Sequence, residues 1–434
     1  MGSAQGSLQE LRQQLASGNI SPASVAKNSL SLANSNTTHN VYISIDSAWT
    51  IGEAEALPNR FAPDLKPLLY GLPVSLKDCF DLQGFPTSCG SRFYAAKNGL
   101  ARADSAVAAR LRSQGAVITG KAHLHQLAYG ITGENPDYGD CLQPLNARRL
   151  TGGSSSGGAA SVQEGSAVAA IGTDTGGSIR APAAFCGLAG YRASIELAHQ
   201  RGLWHGGTHL APSFDTLGWL FRDLRDLPLL AEALFDLRLP PASQSQVRIG
   251  CVQPNFLHDC ETVVLDSFEK WQEKMRAHGA QIVFVDTSFW EEAMDIFAPL
   301  QAHEAAAIHS AQTADDFSHF EKSIAERLAW GASIPAREIE TLRARHANFR
   351  ARMDALLRDH DFLIAPCAPV HEILAGVDHS AARRTILRYT VPMSLAGVPV
   401  VTLPTKTGAG VQLIAARGAD TRLIAYASHL GEIS

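Results

Sequence analysis

No run of the roughly eighteen apolar residues that a membrane helix requires occurs anywhere in the chain. Its start, MGSAQGSLQELRQQLASGN, lacks a basic segment followed by an apolar one, so nothing there reads as a secretory signal. A basic surplus is missing too. The formal net charge is −5, which argues against a nucleic-acid or anionic-membrane partner. Charged residues are somewhat scarce at 18% against 45% apolar, a globular balance rather than a disordered one. The seven cysteines (79, 89, 141, 186, 251, 260 and 367) are odd in number and scattered, with no CxxC pair. That pattern supports neither a disulfide framework nor a zinc site; reduced thiols in a cytoplasmic protein are expected. Repeats, low-complexity blocks and strong linkers are also lacking, so residues 1–434 read as one domain.

What is present is an alternation of helices and buried strands. Apolar spacing from Ser7 to Asn34 predicts two helices around Gly18-Asn19, the second opened by Ser21 as cap and Pro22 at its first position. Strands are predicted over 41–45, 69–78, 116–121, 247–252, 281–285, 362–365, 398–403 and 411–414. Between them, helices are predicted over 104–115, 224–239, 263–278 and most of 289–360, with a surface loop at Pro240-Pro241 to Ser245. This order implies an α/β fold: three α/β/α layers around a large mixed sheet.

Chemistry concentrates in GGSSSGGAASVQEGSAVAAIGTDTGGSIR, residues 152–180. Two Gly/Ser clusters bracket the apolar segment Ala167–Ile171. Glycine lets a backbone approach a ligand closely, and a seryl hydroxyl becomes a nucleophile if a base takes its proton. The sixteen histidines leave a Ser-His-acid triad open by inventory. A buried lysine is the alternative base, because desolvation lowers its pKa. Lys77, which ends the apolar run 69–77, is the best placed; Lys121 is a second candidate, with a solvated lysine the plainer reading. Gly176 and Gly177 before Ser178 can form an oxyanion hole from backbone N–H groups, and a phosphate cradle stays open as well. A P-loop is excluded, since neither cluster ends in Gly-Lys-Ser/Thr.

Residues 152–188 resemble the signature of the amidase signature family, which joins a Gly-Gly-Ser-Ser cluster to Gly-Thr-Asp-Thr-Gly-Gly-Ser-Ile-Arg. Ser154 and Ser178 are 24 positions apart, the family spacing. The likeness extends to Gly71-Leu72-Pro73-Val74-Ser75-Leu76-Lys77-Asp78, to Ala211–Gly218, to Leu395–Pro399 and to Gly410–Ile414. It is weakest over about 236–359, where the family's substrate pocket varies and where this chain shows no evident charged clamp. The resemblance implies a Ser-cisSer-Lys triad: Ser178 as nucleophile, Ser154 after a cis peptide bond as proton relay, and Lys77 as base. It also implies oxyanion-hole N–H groups from Thr175, Gly176, Gly177 and Ser178, with Asp174 and Arg180 ordering that loop. Asp78, next to the base, is expected to point away. Ala128, Tyr129 and Gly130 are the substrate-side candidates, and Trp204 and His205 are further pocket candidates.

The implied reaction is hydrolysis of a linear amide C–N bond through an acyl-enzyme. Carbamates and urea-like groups stay open as substrates, and no cofactor or metal is called for. A homodimer is compatible with the size. The rival readings are a glutamine-hydrolysing amidotransferase component working with a partner and a catalytically silent member. Departures from the pattern (Ser156, Gly158, Tyr191-Arg192-Ala193-Ser194, Cys141–Pro144) spare the triad but blur the subfamily.

Overall fold

The computed structural model describes residues 8–62, 64–239 and 246–432. In chain order the strands are β1 (Tyr42–Ser44), β2 (Pro73–Lys77), β3 (Val117–Ala122), β4 (Leu142–Gln143), β5 (Asn146–Leu150), β6 (Ala169–Asp174) and β7 (Ala189–Arg192). They continue as β8 (Thr216–Phe221), β9 (Arg248–Val252), β10 (Gln281–Val285), β11 (Phe362–Pro366), β12 (Val400–Leu403) and β13 (Val411–Ile414). Eleven of them form one sheet in the order β1-β3-β2-β6-β8-β7-β12-β13-β11-β9-β10, while β4 and β5 pair separately. The sheet is mixed. β3, β2 and β6 run parallel, β8 and β7 follow antiparallel, and β9 pairs parallel with β10 and β11.

Every residue of β2, β3, β6, β8 and β11 is buried. A strand buried on both faces requires covering layers on both sides, which is the expected α/β/α arrangement. The outermost strand β10 is half-open, with Gln281 and Phe284 exposed. The second N-terminal helix, Pro22–Ser35, starts as the sequence predicts: Ser21 accepts from the Ser24 N–H and Pro22 occupies the first turn.

Strand positions follow the hydrophobic runs to within a few residues, with exceptions that have a physical reason. β4, β5 and β6 are not among the predicted strands, nor are β7 and β8, where Gly190 and Gly218 dilute runs (AGYR and TLGWLF) that lack valine and isoleucine. Nor is the helix Ala382–Ala396; Pro392 lies inside it, the residue that normally argues against a helix interior. The loop predicted at 240–245 lies outside the described residues.

For function, the pairing of β2 with β6 matters most. Val74, Ser75 and Leu76 lie beside Ala169, Ala170 and Ile171 in parallel register. Both strands therefore leave the sheet at the same end, with Lys77 and Thr173-Asp174 side by side. Carboxyl ends of parallel strands are where α/β proteins place their ligands. The helix Ser156–Glu164 packs on β6 through a glycine: a Cβ on Gly158 would stand 3.2 Å from the Ala170 Cβ. No helix among the described residues is long and apolar enough to cross a membrane.

Candidate active site

Lys77 ends β2 and is 1% exposed. Its Nζ donates to Ser154 Oγ at 2.8 Å and to Thr173 Oγ1 at 2.8 Å. The lysine is thus held by two hydroxyls. Burial pushes its pKa down to about 8, although the Cys79 thiol and the carboxylates of Asp174 and Asp215 pull the other way. Thr173 sits on β6 two residues beyond Ile171, which pairs with Leu76, and nothing in its sequence context marks it as part of the site.

The Gly153-Ser154 peptide bond is cis. The two Gly/Ser clusters meet directly, since Ser155 N–H donates to the Ser178 carbonyl at 3.2 Å. Ser155 Oγ reaches the Thr173 carbonyl at 3.3 Å. Ser154, Ser178, Lys77 and the glycines between them are therefore assembled at one end of the sheet, with all three side chains buried.

Asp174 and Arg180 order the Gly176–Arg180 loop, as expected, and Arg192 completes the network. Asp174 accepts from the N–H groups of Gly177 (2.9 Å) and Ile179 (3.1 Å) and from both buried guanidinium groups, Arg180 and Arg192, at 2.8 Å. Burial raises its carboxyl, and the two arginines more than reverse that, leaving it well below the usual carboxylate range. Arg180 also reaches the Thr390 carbonyl, Gln412 and Ser394. Gly177 has φ +129°, and a Cβ there would stand 2.6 Å from Thr390 Oγ1, so only glycine fits.

This geometry divides the four expected oxyanion donors. The Gly177 N–H is engaged by Asp174, so it is not free to face a reacting oxygen. Thr175, Gly176 and Ser178 have no backbone N–H bond among the described residues, which leaves three candidate donors. The Gly176 carbonyl is fixed by Thr390 Oγ1 at 2.5 Å, and the Thr175 hydroxyl by Asp215 at 2.6 Å.

Asp78 turns away from Lys77, as anticipated, accepting from the Ser88 N–H at 3.0 Å. Its cation is Lys121, 2.6 Å away, with both side chains wholly inaccessible. The expectation that Lys121 is a solvated lysine is overturned. A buried carboxylate needs a partner, and β3 lies beside β2, so the lysine of one strand meets the aspartate after the other.

A family model described as amidase matches residues 25–424. The chain belongs to the amidase signature family. Among curated relatives it is similar to a glutamyl-tRNA(Gln) amidotransferase subunit of Gloeobacter violaceus, 29% identical over 442 residues, 92% of this chain and 89% of that one. Among solved structures, one described as an amidase superposes with a TM-score of 0.89 at 29% identity, covering 99% of this chain and 100% of the other. Another comes from a vestigial protein complex bearing on the origins of an s-triazine catabolic enzyme. It reaches 0.87 at 27% identity, with 99% of both chains covered. The chain is accordingly an amidase-family hydrolase acting on C–N bonds.

Of the residues expected on the substrate side, Ala128 and Tyr129 precede Gly130, and Ala128 takes φ +57°. Gly130 lines a cavity of about 820 Å³, inside the size range of small-molecule sites. Two residues of its wall are bonded to the serine cluster, Ile131 accepting from the Gly153 N–H at 2.7 Å and His125 N–H donating to the Ser154 carbonyl at 3.2 Å, although Lys77, Ser154 and Ser178 do not themselves line it. Tyr129 is buried, with the Arg327 guanidinium 4.1 Å from its ring centre and that of Arg383 at 5.7 Å. Arg327 lies in the helix Lys322–Ser333, inside the segment expected to carry no charged clamp. Its guanidinium donates to the Tyr129 carbonyl at 2.7 Å and to the Ser323 carbonyl at 3.0 Å. Trp204 and His205 do not join this cavity. Trp204 stacks on His209 at 4.1 Å, and His205 is exposed.

Proposed function

We propose that this hydrolase cleaves linear amides through Ser178, Ser154 and Lys77. The observation that carries the reading is Lys77: fully buried, bonded to Ser154 Oγ and Thr173 Oγ1, and with no carboxylate partner among the described residues. A lysine so placed sheds its proton near neutral pH and can serve as a base.

Ser178 Oγ attacks the amide carbonyl carbon as its proton passes to Ser154, whose own proton moves to Lys77 Nζ. The carbonyl π electrons go to the oxygen, which the N–H groups of Thr175, Gly176 and Ser178 stabilise. Collapse breaks the C–N bond, and the proton returns from Lys77 through Ser154 to the departing nitrogen. Water then adds to the Ser178 ester with the same relay as base, releasing the acid and restoring the serine.

The test is Ser178→Ala. A fluorophosphonate probe should label the wild type at Ser178 and leave the variant unlabelled, and turnover of a panel of amides, anilides and carbamates should disappear with it. Full turnover by the variant would remove the assignment.

A second reading, a component of an amidotransferase, is favoured by near full-length similarity to glutamyl-tRNA(Gln) amidotransferase subunits at 26–29% identity. It requires glutamine as preferred substrate and a stable heteromeric complex. Activity of the isolated chain on other amides at higher kcat/KM than on glutamine would set it aside.

A further inference from the structure

The two edges of the main sheet are built differently. β1 is three residues long, and its pairing with β3 shifts register between Tyr42 and Ser44. Shortness and an irregular register are two ways in which a sheet edge avoids further pairing. β10, at the other end, is five residues long and runs in unbroken register with β9 from Gln281 to Val285. It carries no lysine, no proline and no bulge, so the usual guards of an edge are missing.

The free side of β10 can be assigned residue by residue. Gln281 N–H donates to the Val247 carbonyl at 2.8 Å, toward β9. Backbone groups alternate along a strand, so Val283 and Val285 face β9 with Gln281, while Ile282 and Phe284 turn their N–H and carbonyl groups outward. Among the described residues no strand follows β10, and neither Ile282 nor Phe284 has a backbone partner on that side. Their side chains share one face of the sheet, and Phe284 is 63% exposed.

We propose that β10 pairs antiparallel with β10 of a second copy of this chain, with a two-fold axis passing at Val283. That centre overlaps the whole strand, since Val283 is its middle residue. Ile282 then lies opposite Phe284 of the partner subunit and exchanges backbone hydrogen bonds with it. Its side chain covers the exposed ring, an aliphatic–aromatic cross-strand pair. Val283 faces Val283 of the partner subunit. No charged residue falls inside the paired segment QIVFV. Just beyond it the charges are complementary: exposed Asp286 at one end approaches the exposed turn formed by the partner subunit's Arg276 and His278. Because the sheet's other edge is the guarded β1, assembly stops at two copies. β6 and the serine cluster lie seven strand spacings from β10, about 34 Å, so the pairing leaves the active site open.

Two measurements test it. The first is the mass of the full chain by light scattering across the micromolar range. Wild type should be a dimer there. Phe284→Lys, which sets a charge where Ile282 of the partner subunit packs, should be a monomer with an unchanged circular dichroism spectrum. The second measurement reads the register. Residues facing each other in a non-hydrogen-bonded antiparallel pair have Cα atoms about 4.5 Å apart, within reach of a disulfide. Val283→Cys treated with diamide should therefore give a covalent dimer that a reducing agent dissolves, with wild type as the blank. In Phe284→Cys the two introduced thiols belong to residues about 8 Å apart, too far for a bridge, and no covalent dimer should form.

A monomeric wild type across that range, or a dimer that survives Phe284→Lys, overturns the proposal. So does Val283→Cys that fails to cross-link, or that cross-links no better than Phe284→Cys. None of these outcomes touches the amidase reading, which is tested separately at Ser178.

Discussion

On the proposed mechanism one buried lysine sets the pH profile of the enzyme, and removing one hydroxyl should move it in a defined direction. Lys77 acts only when neutral, and its pKa is pushed down to about 8 by burial. About one molecule in ten is then competent at pH 7 and about nine in ten at pH 9, so kcat/KM should rise about tenfold across that interval. Thr173 Oγ1 accepts one of the two side-chain hydrogen bonds of Lys77. A hydrogen bond from a charged donor exceeds one from a neutral donor by about 1 kcal/mol, equivalent to about 0.7 of a pH unit. Thr173→Val keeps the branched shape and deletes the acceptor. The ammonium loses more than the amine does, the pKa falls, and the rising limb should move to lower pH by about that amount. The assay is kcat/KM on one neutral amide from pH 5.5 to 10 for both proteins. A limb that is flat over this range in the wild type, or that moves to higher pH in the variant, refutes the argument.

Other perturbations follow from the same geometry. Asp174→Asn leaves the two wholly buried guanidinium groups of Arg180 and Arg192 without their anion, so the urea midpoint should fall by the equivalent of about 3–5 kcal/mol; a loss under about 1 kcal/mol would mean the network is not what holds the loop. Gly177→Ala must fit a Cβ 2.6 Å from Thr390 Oγ1 at φ +129°. It should lower kcat by about 100-fold or more through displacement of the oxyanion loop, and near-normal kcat in that variant would show that the loop tolerates the shift.

Much of the site is legible in the amino-acid sequence because its residues are close together along the chain. Ser154, Ser178 and the glycines belong to one stretch, and Lys77 ends a run whose apolar character marks a buried strand. What escapes such a reading is brought in by topology. Thr173 is an ordinary strand threonine until the pairing of β2 with β6 brings its hydroxyl within reach of the Lys77 side chain. Arg192 is one polar residue at the end of a glycine-containing strand until β7 pairs with β8 and carries it to Asp174. Arg383 and Thr390 share a helix that the internal Pro392 disguises. The Gly177 N–H shows the converse. Its residue type identifies it as part of the loop, but the direction of an N–H is a matter of φ and ψ, and here it points at Asp174.

Charge pairing explains why a lysine can be a base in a site this rich in acids. Asp78 is balanced by Lys121, Asp174 by Arg180 and Arg192, and Asp215 by the Leu210 and Ala211 N–H groups, the Thr175 hydroxyl and His209. Each carboxylate has its own donors, so Lys77 is left to hydroxyls and to burial. The Cys79 thiol lies within electrostatic range of Lys77, Asp78 and Lys121 together, so these three charges share one low-dielectric neighbourhood. Lys121→Met should therefore act at a distance on catalysis. It uncovers the Asp78 charge, which raises the pKa of Lys77 and moves the rising limb of kcat/KM to higher pH, alongside a stability loss of about 3–5 kcal/mol from the unpaired buried carboxylate. Adding Asp78→Asn removes the uncovered charge, so the double variant should return the limb toward its wild-type position even if stability is only partly recovered. A limb that stays put in Lys121→Met, measured on protein shown by circular dichroism to be folded, would mean that burial alone tunes Lys77 and that the Asp78–Lys121 pair serves packing only.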